Sequence, residues 1–318
     1  MEEINCPLCG ASHTKLLFKR PDYTHRISDV YFKVVRCVRC SFVYINPRPS
    51  ESEIHAYYPN EFYDVHHSPE DTLAIKKEML QAKLNKVDHL EPGRALDIGC
   101  GKGEFLHMMQ QQEWKVSGVE FSSKPPNLFD IDIHYGDLDQ APFEPCSFDL
   151  ITMWAVLEHV YRPVDMLKKV NSLLKNSGTA VILVPNFHSI PGRLMRHDDI
   201  PRHVNMFTKK TFKKIAALTG FGIQRFIFDN DVFSGSVRGV LNYLLKLASG
   251  ERLDEIVKQN RMPGKWGEFS GNLNGRPSKI MQRLDRLDIR LTPIFDAVLC
   301  AIHFGFIMTV EMRKNRSV

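Results

Sequence analysis

The chain has no long apolar run. Its most apolar late stretch, residues 297–310, is interrupted by His303 and Gly305 and is shorter than the roughly 20 residues that a membrane-spanning helix needs. It opens Met-Glu-Glu-Ile-Asn, without the basic and apolar character of a secretory leader. There is no internal repeat and no low-complexity tract. Charge of one sign is also lacking: 42 Lys and Arg against 37 Asp and Glu leave a net charge of +5, too mild to argue for nucleic acid by itself. These absences set aside a membrane-spanning protein, a repeat array and a strongly cationic binder. What remains is ordinary for a globular enzyme, with 43% hydrophobic and 25% charged residues in 318, room for a catalytic domain of about 200 residues plus additions. Seven cysteines without a leader favour a reducing compartment, with metal or free thiols rather than disulfides, and a cytoplasmic location is expected.

The densest signal is Ala-Leu-Asp-Ile-Gly-Cys-Gly-Lys-Gly-Glu at 95–104. A short apolar run ends in Gly99, Gly101 and Gly103, and a helix-like stretch follows from Glu104 to Gln112. A strand, a glycine turn and a helix in that order let backbone approach a nucleotide-like cofactor closely. The spacing departs from the dinucleotide fingerprint, because the third glycine comes one residue early. Asp97, two residues before the first glycine, would repel a pyrophosphate but suits a cofactor bearing an ammonium and a sulfonium. The stretch resembles motif I of the class I S-adenosylmethionine (SAM) methyltransferases.

Later elements follow the same pattern. Residues 115–120 read as a second strand ending in Glu120, where a carboxylate can accept from both ribose hydroxyls. Strands are expected at 132–135, 148–154 and 179–184, with an apolar helical period over 163–174 between the last two. Alternating strands and helices imply a parallel sheet. The resemblance implies that Asp137, with Leu138 beside it, lies at the adenine, that Phe121 follows the ribose acid, and that Trp154 walls the cofactor pocket. Pro125 and Pro126 shorten or abolish the helix usual after Glu120.

At the N-terminus, Cys6-Pro-Leu-Cys9 and Cys37-Val-Arg-Cys40 form two knuckles separated by 27 residues. Two such turns present four thiolates to one ion in a closed tetrahedral site, the structural zinc pattern. Four thiolates with one Zn²⁺ add roughly −2, taking the chain to about +3. Cys100, Cys146 and Cys300 are scattered and expected to be inert. After the second knuckle come Asn46-Pro47-Arg48-Pro49, Tyr57-Tyr58 and a helical stretch over about 70–90. This order resembles the zinc-ribbon-bearing relatives of the ubiquinone-biosynthesis O-methyltransferase type, over residues 4–228 and again at the last strand. The resemblance implies an α/β fold: a Rossmann-like seven-stranded methyltransferase sheet with an N-terminal zinc ribbon and a helical insertion before the last strand. The expected division is a ribbon at 1–48, a linker and helix at 49–90, a SAM-binding domain at 91–229 plus 304–318, and an insertion at 230–303.

Two histidines follow strands at the carboxyl edge of the sheet, where ligands bind. His159 lies in Trp-Ala-Val-Leu-Glu-His-Val, and His203 in Pro-Arg-His-Val-Asn-Met-Phe-Thr, before a helix capped by Thr208. Each is a candidate base for an acceptor proton; the plainer alternative is that each orients a loop or packs beside the cofactor. Arg202 is read as either an anion-binding or a solvated residue. No Asn/Asp-Pro-Pro-aromatic clamp for a flipped base follows the fourth strand. The resemblance implies as acceptor a small molecule, sugar or lipid-linked intermediate, with a hydroxyl first and a carbon or nitrogen after it. RNA methylation guided by the ribbon and a non-catalytic SAM-binding adaptor are the alternatives. The insertion, with an apolar helical face from Val237 to Ala248 and another from Ile280 to Leu291 flanked by arginines, is read as a lid, as a peripheral contact with the inner face of a membrane, or as plain packing. The sequence carries no signal for oligomeric state.

Overall fold

The computed structural model describes residues 1–59, 68–122, 126–189, 199–232, 250 and 279–315. The expected helix over 237–248 lies outside these residues. Two sheets organise the described chain. The first is small and antiparallel: β1 (Thr14–Arg20), β2 (Phe32–Cys37), β3 (Val43–Ile45) and a later two-residue strand, Asn205–Met206, in that order. It carries both cysteine knuckles at its end.

The second sheet is built from β4 (Arg94–Ile98), β5 (Lys115–Glu120), β6 (Ile133–Tyr135), β7 (Phe148–Trp154), β8 (Leu174–Pro185), β10 (Phe221–Asp229) and β11 (Ile307–Lys314), with β9 being Asn205–Met206. Its order is β10-β11-β8-β7-β4-β5-β6. Pairings from β6 through β8 are parallel, and β11 runs antiparallel to both β8 and β10. β7 is near-continuously buried, as expected for a strand covered on both faces. On one face lie α3 (Pro163–Leu173) and α4 (Lys209–Leu218), placing Leu167, Val170, Phe212 and Ile215 against the sheet. On the other, α1 (Pro69–Leu84) and α2 (Glu104–Gln110) contribute Leu80, Leu84, Phe105 and Met109. α4 starts at Thr208 with a reciprocal capping box to Thr211.

The fifth sheet strand starts at Leu174, five residues before the expected position, because Leu174 pairs with Phe148 and Lys175 bridges Asp149 at 2.7 Å. α1 ends at Leu84 rather than near residue 90. Just beyond it, buried Lys86 bonds Asp229 and Asp231 at 2.7 and 2.9 Å, tying the chain to the end of β10. No helix occupies the described residues between β5 and β6, in line with the two prolines. α5 (Lys279–Ala301) precedes β11. No helix among the described residues is long and apolar enough to cross a membrane.

The small sheet is not a loose appendage. Cys6, Leu8, Cys37, Cys40, Phe42 and Tyr44 share a core cluster with α3, α4 and the main sheet. Phe42 stands edge-on to Phe207 with ring centroids 5.4 Å apart, and Lys214 of α4 donates to the Cys40 carbonyl at 2.9 Å.

Candidate active site and metal centre

β4 lies between β5 and β7, so the chain reverses direction across the sheet at the carboxyl ends of β4 and β7. That is the switch point where open α/β sheets leave a crevice for a ligand. Gly99, Gly101 and Gly103 all take the left-handed backbone conformation there, with φ of +74°, +58° and +86°. A Cβ on Gly99 would stand 2.5 Å from Val156 Cγ2, so the turn and the loop after β7 are in close contact. The Gly101 N–H donates to Glu120 Oε2 at 2.8 Å, and Ser122 N–H donates to Oε1 at 3.0 Å. Burial raises the Glu120 pKa against these bonds. The Phe121 N–H adds a third bond to this carboxylate, which leaves one lone pair in its plane for a ribose hydroxyl.

Asp97 is 1% exposed and accepts from Thr152 Oγ1 at 2.6 Å. Desolvation pushes its pKa up to about 7, although Lys83 and Thr152 pull it down. Lys83 reaches in from α1, its Nζ 5.5 Å from the Trp154 ring and 5.8 Å from that of Phe105. Burial lowers its pKa, and Asp97 opposes that shift. The Trp154 and Phe105 rings meet edge-to-face at 5.1 Å. Trp154 Nε1 is buried without a hydrogen-bond partner, a donor in place for a ligand. A carboxylate, an ammonium, a bare indole N–H and open glycine backbone suit a zwitterionic nucleoside such as SAM. Asp137 lies just past β6, exposed, and Leu138 is buried. The Gly136 N–H bonds the Glu120 carbonyl at 2.9 Å, setting this turn beside the end of β5. Phe121, 42% exposed, follows Glu120 on the rim.

The two histidines, far apart in sequence, meet. Their ring centroids are 4.7 Å apart in a near-perpendicular pair. His159 closes a 3-10 turn, Leu157–His159, after β7. His203 precedes β9, the strand that the main domain lends to the small sheet through Met206–Val43 and Asn205–Tyr44 pairing. His159 Nδ1 lies 3.1 Å from the Arg202 carbonyl and 3.3 Å from Tyr58 Oη. A carbonyl only accepts, so Nδ1 carries the proton and Nε2 the lone pair. Burial lowers the His159 pKa, keeping the ring neutral. Glu158, 1% exposed, has both carboxylate oxygens without a partner, and burial pushes its pKa up to about 8.

Arg202 is neither an anion receptor nor solvated. Its side chain is fully buried, bonded to Asp22 at 2.8 Å, to Asp199 at 2.6 Å and to the Tyr57 carbonyl at 2.5 Å. Three segments distant in sequence are thereby clamped around the histidines. Sequence reasoning missed Lys83, Asp22 and Asp199; an α1 lysine or a lone early aspartate has no motif spacing to mark it.

The four knuckle sulfurs lie within 4.8 Å of one another, with Cys6 to Cys40 at 3.5 Å and Cys9 to Cys37 at 3.6 Å. A tetrahedral ion with bonds of about 2.3 Å requires sulfur separations of about 3.8 Å, so the cluster fits zinc. The Phe42 N–H donates to Cys40 Sγ at 3.4 Å. Burial raises the Cys6 thiol pKa and takes Cys40 to about 11, a penalty that a bound cation reverses.

Comparison with known proteins agrees with this geometry. Residues 72–225 match the methyltransferase domain family. Over 114 residues the chain is 30% identical to the ubiquinone biosynthesis O-methyltransferase of Paraburkholderia phymatum, covering 32% of this chain and 49% of that protein. It is 28% identical over 109 residues to the demethylmenaquinone methyltransferase of Staphylococcus aureus, covering 31% and 45%. The chain thus spans about half the length of these curated relatives. A SAM-dependent methyltransferase structure from Archaeoglobus fulgidus aligns with 75% of this chain and 94% of its own, at 18% identity and a TM-score of 0.47. Residues 72–225, which carry the glycine turn and most of the parallel strands, are thus similar to the methyltransferase domain family.

Proposed function

We propose that the chain transfers a methyl group from SAM to a hydroxyl of a small-molecule, sugar or lipid-linked acceptor. SAM, when bound, supplies a methyl carbon activated by the adjoining sulfonium. The proposed roles follow from chemistry: Asp97 faces the methionyl ammonium, Lys83 its carboxylate, and Glu120 the ribose diol. Phe121, Asp137 and Leu138 flank the adenine, while Trp154 walls the pocket. Gly99, Gly101 and Gly103 give the backbone its close approach. Cys6, Cys9, Cys37 and Cys40 hold structural zinc, which fixes the small sheet and, through β9, the segment bearing His203. The proposed division keeps a ribbon at 1–48, a linker and helix at 49–90, a catalytic domain at 91–229 plus 304–318, and an insertion at 230–303.

The observation that carries the acceptor side is the meeting of His159 and His203 beside a loop that touches Gly99. An oxygen nucleophile must lose a proton as it attacks. The lone pair on His159 Nε2 can take that proton or hold a cation that acidifies it. Aligning the oxygen with the sulfonium supplies much of the rest. The names of the relatives, a ubiquinone biosynthesis O-methyltransferase and a demethylmenaquinone methyltransferase, support a small-molecule acceptor.

Calorimetry of SAM with wild type, Asp97→Ala and Glu120→Ala tests the cofactor half. Saturable binding weakened in both variants is expected, and a folded, zinc-loaded wild type that binds no SAM would sink the reading. Transfer of label from methyl-labelled SAM to a panel of phenolic, sugar and lipid-linked hydroxyls tests the other half. SAM binding with a recruited partner but no turnover on any acceptor favours an adaptor instead.

A further inference from the structure

Beyond the thiolate cluster, the described residues hold one other group with the donors for a metal: Glu158, His159 and His203, whose ligand atoms lie within 4.8 Å of one another. Glu158 is almost fully buried, and neither carboxylate oxygen has a hydrogen-bond partner. Its Oε1 stands 3.9 Å from His203 Nε2, too far for a hydrogen bond and a spacing that two ligands of one ion can take. Burying a bare carboxylate costs several kcal/mol unless a proton or a cation meets it. Nearby, Asp22 and Asp199 share the Arg202 guanidinium, so it has no charge left over for Glu158. His159 already has a ligand's posture. Its Nδ1–H is spent on the Arg202 carbonyl, which fixes the ring and leaves Nε2 as the donor.

We infer that Glu158, His159 and His203 hold a divalent first-row transition-metal ion. Two imidazoles and one carboxylate suit zinc, iron, manganese or cobalt; magnesium and calcium prefer all-oxygen surroundings. Three protein ligands leave open positions, as in catalytic rather than structural sites. Ligation through His203 Nε2 puts its proton on Nδ1 and gives up a long 3.4 Å contact from the Asp199 N–H. The inference rests on the proposed methylation of a hydroxyl at this end of the sheet, and assigns the histidines as ligands rather than bases. The acceptor oxygen binds the ion and loses its proton to solvent water. Its lone pair then forms the O–CH₃ bond, while the C–S bond breaks with its electrons returning to sulfur, releasing S-adenosylhomocysteine.

The test uses the zinc-loaded full chain, so that the thiolates are occupied, titrated with Mn²⁺ and followed by electron paramagnetic resonance. One equivalent is expected to bind with nitrogen couplings from two imidazoles. Loss of an outer-shell partner typically costs 10–100-fold in metal affinity, so Glu158→Gln and His203→Gln should each weaken binding by more than about 100-fold. Thermal melts and SAM calorimetry on the same variants report folding; if either variant fails to fold, the wild-type nitrogen couplings still decide. Equilibrium dialysis against Zn²⁺, Co²⁺ and Fe²⁺ covers the other ions. A SAM-binding wild type that takes up no metal beyond the ribbon's overturns the inference, as does uptake without nitrogen coupling or unchanged in both variants. Metal uptake without SAM binding sinks the methyltransferase reading and leaves this site standing.

Discussion

Asp97→Asn should stabilise the SAM-free protein while weakening its hold on SAM. In the folded chain Asp97 is sealed under the glycine turn, and desolvation carries its pKa from 3.8 to about 7. A carboxyl whose folded pKa exceeds its unfolded value favours the folded state fully below pH 3.8, and loses that advantage as pH rises to about 7. The shift of about three units corresponds to a ceiling of roughly 4 kcal/mol at 1.36 kcal/mol per unit. The attraction of Lys83 is already contained in that shift, and the ceiling is reduced because the denatured chain keeps residual structure and the amide packs imperfectly in the carboxyl's place. A net stabilisation of about 1–3 kcal/mol above pH 8 is the expected outcome. Denaturant melts of both proteins without SAM, from pH 5 to 8.5, measure it. The difference between them should widen through pH 7 and then level. A variant less stable than wild type at pH 8.5, or a gap independent of pH, refutes the account of Asp97 as a charge buried for a ligand. Calorimetry supplies the other half. Because the ammonium must displace a proton below pH 7, wild-type affinity for SAM should rise up to tenfold per pH unit and flatten above about 7. The variant should show no such slope.

Other outcomes follow from single contacts. Lys83→Met should weaken SAM binding at least tenfold and, because Lys83 draws the buried Asp97 carboxyl toward its charged form, should raise the pH at which SAM affinity levels off; calorimetry across pH checks both. Gly99→Ala should abolish SAM binding and destabilise the fold, since its Cβ would be 2.5 Å from Val156 Cγ2 at a φ of +74°. Arg202→Met should cost about 3–5 kcal/mol in denaturant melts by leaving Asp22 and Asp199 buried without their partner. Cys37→Ser should abolish stoichiometric zinc uptake, and, because β9 hydrogen-bonds β3, raise hydrogen exchange at Asn205 and Met206 as well as in the ribbon; unchanged exchange there would separate ribbon from site.

What the sequence made legible was local. Gly99, Gly101 and Gly103 announce positive φ because only glycine takes it freely, and all three have it. Strands such as 115–120 and 148–154 are readable to the residue, since buried parallel strands are short apolar runs with marked ends. The spacing of the cysteine knuckles announces that four sulfurs converge, and they do. Relationships between distant segments were not legible. Arg202 in Pro-Arg-His-Val reads as an anion binder or a solvated cation, yet Asp22 neutralises it, a partner 180 residues away. Glu158 reads equally as a pocket-facing acid or as the start of a loop, and only the fold shows its carboxylate bare and buried beside two rings.

The small sheet's fourth strand ties these observations together. A zinc ribbon that merely capped the chain would pair only with itself, but here β3 pairs with β9, two residues beyond His203. The clamp of Asp22 and Asp199 on Arg202 holds the same segment from its other side, one residue before His203. His159 is fixed by Arg202's own carbonyl and lies beside Tyr58 from the segment after the ribbon. The N-terminal module therefore reaches the two histidines through hydrogen bonds rather than proximity. Loosening the ribbon should move His203 relative to His159 before it disturbs Asp97 or Glu120, which rest on the main sheet. Methyl transfer should then fall on zinc removal at chelator concentrations that leave SAM affinity intact. Parallel loss of both would mean that the ribbon supports the whole fold and has no particular hold on the histidines.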